Sequence, residues 1–60
     1  MTLNDLIRLA RHSGQLMAED KATGVRVLVK RGPLGWRVEC YIDGIRKNER
    51  AARRLQDGEL

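Results

Sequence analysis

Two stretches of alternating residues meet at a turn in the middle of the chain, and their match restricts the fold more than any other feature. Val25, Val27 and Val29 alternate with Arg26, Leu28 and Lys30, the period-two pattern of a strand with one buried face. After Gly32-Pro33-Leu34-Gly35, the residues Trp36, Val38, Cys40 and Ile42 fall on one side and Arg37, Glu39, Tyr41 and Asp43 on the other. Pro33 suits the second position of a turn because its ring fixes φ near the value needed there. If that turn sets the register, Arg31 faces Trp36, Val29 faces Val38, Val27 faces Cys40 and Val25 faces Ile42. From Val29–Val38 onward both members of each pair are apolar. A slip by one residue would turn every one of these side chains to water, so the hairpin is strongly specified.

The hairpin extends into further elements. Asp43-Gly44 is a two-residue hairpin signal. It sets Ile45 opposite Ile42 and Arg46 opposite Tyr41 in a short third strand. Asn48 can cap a last helix, with Glu49 in its first turn, Arg53 and Arg54 near its end and Gly58 as its stop. Ala51, Ala52 and Leu55 give that helix a small apolar side. At the other end of the chain, Thr2 and Asp5 have the spacing of a capping box, and Leu3, Leu6, Ile7 and Ala10 mark one face of a helix. The same face projected onward meets Gly14, Met17 and Ala18, which predicts a helix running to about Asp20 with Gly14 inside it where another backbone comes close. A rival reading ends the helix at Ser13-Gly14, with Gly14 as the C-cap. Leu9 and Leu16 sit on a flank of the helical face, where they either widen the core stripe, the preferred reading, or form a seam with a second copy. Asp20 to Gly24 is then a polar connection. The expected architecture is a single α+β domain over residues 1–60: helix, antiparallel hairpin, short third strand and helix, with both helices on one face of a small sheet.

Sixty residues with one Cys and one His rule out a disulfide framework and a structural zinc site, and no cofactor is expected. No run approaches the ~18 apolar residues of a membrane span, and the start of the chain has no secretory pattern, so a cytoplasmic location is expected. A chain this short usually needs help to stay folded. Either the core is compact and aliphatic or a second copy completes it, so a homodimer is one expectation. Trp36 is expected to anchor the core and to stack with Arg31 across the turn. Cys40 falls on the buried face, where it acts as a small hydrophobe rather than a nucleophile, and His12 falls on the solvated side of the first helix. The carboxylates form no clear acid–base pair, so no enzymatic activity is expected.

The charge is uneven. Twelve Lys plus Arg against eight Asp plus Glu give +4. Residues 1–24 are balanced, so the whole excess lies in 25–60. The acidic end, Asp57 to Leu60, is too short for a regulatory tail. If both helices cover the valine face, the other face of the sheet is open and carries Arg26, Leu28, Lys30, Arg37, Glu39, Tyr41 and Arg46. Arg50, Arg53 and Arg54 on the last helix are expected to extend it, with Lys47 close by. Arg is the side chain best suited to phosphate and guanine edges, a twisted ribbon fits the DNA major groove, and Tyr41 offers a stacking contact. The expected function is therefore a small nucleic-acid-binding accessory protein, DNA rather than RNA, with size and charge suiting a phage or mobile element. The alternative is a protein-interaction module, an inhibitor or adaptor docking on a larger complex through the same Arg/Tyr surface, since Arg exceeds Lys nine to three.

Two family layouts share parts of this order. Helix, three strands and helix resembles the double-stranded-RNA-binding domain, and Arg46-Lys47-Asn48-Glu49-Arg50-Ala51-Ala52 resembles the basic start of that domain's last helix. Three strands followed by a helix is similar to the DNA-binding sheet of plant AP2 domains and of phage integrase arm-binding domains, with Gly24-Val25-Arg26, Trp36 and Ala51-Ala52 in a similar order. Each covers about half the chain, and no residue role is carried over from either.

Overall fold

The computed structural model describes residues 1–58; Glu59 and Leu60, the end of the acidic terminus, lie outside the described residues. The order is α1 (Leu3–His12), β1 (Met17–Asp20), β2 (Val25–Gly32), β3 (Gly35–Ile42), β4 (Ile45–Lys47) and α2 (Glu49–Asp57). All four strands join one antiparallel sheet in sequence order. The hairpin has the expected register, with Val25 opposite Ile42, Val27 opposite Cys40, Val29 opposite Val38 and Arg31 opposite Trp36. Asp43 and Gly44 both take positive φ, as their tight turn requires, and Ile45 and Arg46 pair with Ile42 and Tyr41.

The first helix does not reach Asp20. It ends at His12, Ser13 caps it in an extended conformation, and Met17–Asp20 forms a strand beside β2. Short apolar runs satisfy either period: Ala18 lies opposite Val27 on the core side, so the strand buries it as well as the helix would have. Pairing along β2 also satisfies an edge that would otherwise be open. Gly14 sits in the link, with open space where its Cβ would stand, so neither an approaching backbone nor a C-cap role explains it. Leu16 in the same link has φ 55, a costly conformation for a bulky side chain. Its carbonyl accepts the Val29 N–H at 2.9 Å and its side chain packs on the core. Leu9 lies outside the core, on the solvent side of α1.

Both helices lie on one face of the sheet. Leu3, Leu6 and Ala10 of α1 and Ala52 of α2 form a single buried cluster with Ala18, Val25, Val27, Val29 and Cys40. Thr2 and Asp5 make the expected capping box, and Asn48 Oδ1 accepts the Ala51 N–H at 2.8 Å. Polar side chains tie the two helices together at the end where α1 begins. Asp57 accepts the Leu3 N–H at 2.7 Å, and Arg53 reaches Asn4 as well as Glu49 and Asp57. Buried Gln56 hydrogen-bonds Thr23, the Met1 carbonyl and Asp20. The Gln56 amide, with the Ala22 N–H, holds the Asp20 carboxyl below its ordinary value of 3.8.

Gly24 closes the β1–β2 turn at φ 77, and a Cβ there would overlap the Asp43 carboxylate. Its carbonyl also accepts the Asp43 N–H at 3.1 Å, joining two turns at one end of the sheet. Gly24→Ala is expected to lower stability by about 1–3 kcal/mol, from left-handed backbone strain and the overlap together. Urea unfolding checks this; an unchanged midpoint would show that the two turns are not so closely fitted.

Candidate nucleic-acid interface

The face of the sheet turned away from the helices carries the expected cations. Strand register sets Glu19, Arg26, Tyr41 and Arg46 in one row, Met17, Leu28 and Glu39 in the next, and Lys30 and Arg37 beyond. Successive rows are about 7 Å apart, because same-face residues repeat every second position. Lys30, Arg37 and Arg46 are exposed, and Arg26 and Tyr41 are half-buried. No described segment covers this face. The arrangement follows from the alternation itself: once the valines turn toward the helices, the intervening residues must face water.

Glu39 is the electrostatic centre of the wall. Lys30 Nζ lies 3.1 Å from its Oε1 and Arg46 Nη2 3.7 Å from its Oε2. The Tyr41 hydroxyl donates to Oε1 at 3.3 Å. The hydrogen bond from Lys30, ahead of the charge of Arg46 and the tyrosine contact, holds the Glu39 carboxyl below its ordinary value of 4.5, so it stays ionised at neutral pH. Its side chain is only 18% exposed. This bridging was readable from the register, because Lys30 and Arg46 are diagonal to Glu39 and long side chains reach diagonal neighbours.

Arg26 stands over the Tyr41 ring, its guanidinium carbon 5.3 Å from the centroid. Its Nε is buried without a hydrogen-bond partner among the described residues. The aromatic face orients this cation, while Arg37 has no ion-pair partner among the described residues.

The helical basic residues do not extend this wall. α2 lies on the opposite face, so Arg50 and Arg54 project from the helix layer, and Arg53 is committed to joining α2 to α1. Lys47 pairs with Cys40, which places it on the helix side too. A helix that doubles back over the sheet carries its arginines with it.

Trp36 is not a core residue. It is 45% exposed, and Val38 beside it is exposed as well. α1 ends at His12, and α2 begins after Lys47 at the level of Cys40, so neither helix covers this part of the hairpin. Two guanidiniums flank the indole instead: the expected Arg31, 5.8 Å from the ring centroid, and Arg11 from the last turn of α1 at 5.5 Å. Cys40 is buried, and burial pushes its thiol above the ordinary range, while His12 is exposed. Among the described residues no group of three His, Cys, Asp or Glu side chains is placed to hold a metal ion, and no helix is long and apolar enough to cross a membrane.

Compared with known proteins, the chain matches no family model, no curated protein and no solved structure. What the wall does is therefore read from its own geometry.

Proposed function

We propose that this protein binds nucleic acid, duplex DNA before RNA, through the open face of its sheet, without enzymatic activity. The observation that carries the reading is the sharing of one water-facing wall by Arg26, Lys30, Arg37 and Arg46, with Tyr41 among them. Four cations on adjacent strands suit the closely spaced charges of a phosphate backbone, and each phosphate contact releases condensed counterions. Titration of duplex DNA at two salt concentrations tests it. Binding that weakens steeply with salt is expected; no binding at low salt, or binding indifferent to salt, removes the reading. An accessory role in a phage or mobile element, and a cytoplasmic setting, fit the size and charge.

A second reading is favoured by a different observation. Trp36, Val38, Ile45 and Leu55 are all exposed large apolar side chains. Trp36, Val38 and Ile45 lie on the helix side of the sheet. An inhibitor or adaptor, or a homodimer, would use such side chains as anchors. Pull-down from nuclease-treated lysate separates the classes: a stoichiometric protein partner that survives nuclease supports this second reading, and loss of all partners supports the first.

A further inference from the structure

The β2–β3 hairpin outruns its neighbours. β1 pairs with β2 only as far as Leu28, and β4 pairs with β3 only back to Cys40. Val29 itself is buried, with its N–H bonded to the Leu16 carbonyl, so the pairs Lys30–Arg37, Arg31–Trp36 and Gly32–Gly35 form a two-stranded arm with no third strand beside it. Three pairs project about 10 Å at strand rise. A B-DNA major groove is about 8.5 Å deep and about 12 Å wide, and it admits a two-stranded ribbon. The arm is thus long enough to reach the groove floor and narrow enough to enter.

Its charges are distributed to match. Lys30 and Arg37 project from the open side of the arm. Arg31 projects from the other side, against Trp36, and Arg11 reaches the same indole from α1. A sheet lying flat on DNA would use only the open side. A ribbon standing between the two walls of a groove faces phosphates on both. Cations on both faces of a projecting arm have no use in flat docking, and the indole between two guanidiniums keeps them at its surface without burying them. The tip residue Leu34 is fully exposed, so nothing in the fold occupies the space ahead of the arm.

We infer that the arm from Lys30 to Arg37 inserts into the DNA major groove, with Lys30 and Arg37 toward one phosphate wall and Arg31 toward the other. This rests on the proposed DNA binding and extends the contact set to a residue on the helix side of the sheet. Arg31→Gln is the discriminating variant, since Arg31 is exposed and off the open face. It is measured on duplex DNA beside Arg37→Gln, the charge-keeping Arg31→Lys and the control Arg50→Gln, with circular dichroism confirming the fold of each. Insertion requires Arg31→Gln to weaken binding about eightfold at about 0.1 M salt and to make the log–log salt slope shallower by about 0.9, one phosphate contact. Arg31→Lys retains most of the affinity, and Arg50→Gln stays within twofold. If Arg31→Gln binds like the wild type while Arg37→Gln is weakened, the protein docks flat, and the insertion is wrong while the DNA reading stands. If the wild type binds no duplex at low salt, both fail. Trp36 is the single tryptophan of the chain, so its emission gives a second readout. A shift on DNA binding is expected of an inserted arm, and an unchanged spectrum at saturation contradicts insertion.

Discussion

Leu6→Ala is expected to remove most of the protein's stability. Leu6 has no exposed surface and sits on α1 in the cluster formed with Val25, Val27 and Ala52. Removing a buried leucine side chain costs about 2–5 kcal/mol, from lost transfer energy and the cavity left behind. A core in a domain of this size rarely supplies more than about 3–5 kcal/mol in total. One truncation is therefore comparable to the whole margin. Leu9→Ala on the same helix is the matched control, since Leu9 faces water and its loss should change stability by no more than about 0.5 kcal/mol. Far-ultraviolet circular dichroism with urea titration measures both. A Leu6→Ala protein with a wild-type midpoint, or equal effects from the two leucines, would mean that the helix packs by another face.

The second large effect falls on binding. Changing Arg26, Lys30, Arg37 and Arg46 together to Gln is expected to weaken duplex DNA binding by about 10³-fold at about 0.1 M salt, with the salt slope shallower by about 3.6, about 0.9 for each lost contact. Glu39→Gln belongs in the same variant, because Glu39 would otherwise lose the Lys30 and Arg46 that neutralise it. The counterpart on the helix layer, Arg50→Gln with Arg54→Gln, removes two charges from the opposite side of the sheet and should cost less than about tenfold, the diffuse effect of net charge alone. Equal losses from the two variants would show that net charge, and not the wall, binds DNA.

The parts of the fold legible in the sequence are those with two independent signals in agreement. The hairpin has alternation and turn length pointing to one register, and Asp43-Gly44 has its turn chemistry and the apolar match of Ile45 with Ile42. The stretch from Ser13 to Asp20 had only one signal, since Gly14, Met17 and Ala18 continue the helical stripe while Ala18 also faces Val27 from a strand. Length and tertiary pairing decided that case, and neither is local. The open wall follows from alternation, which sets Arg26, Lys30, Arg37, Tyr41 and Arg46 on one face. Arg50, Arg53 and Arg54 do not extend it, because their position depends on the direction in which α2 folds back, while Lys47, next to Arg46 in β4, alternates onto the helix side. Trp36 departs from the core for a related reason: it stands on the helix side, as alternation requires, but the helices are too short to cover it. Gln56, the buried link between α2, the Asp20–Gly24 turn and the N-terminus, carries no sequence signal apart from the rarity of burying such a group.

Backbone amide chemical shifts recorded during titration with duplex DNA test the central claim most directly, since they report binding and its location together. The wall predicts salt-sensitive shifts concentrated in Arg26, Lys30–Arg37 and Tyr41–Arg46, with the solvent face of α1 around Asp5 and Leu9 silent. Shifts confined to the helices, or a spectrum unchanged by DNA at low salt, would contradict it.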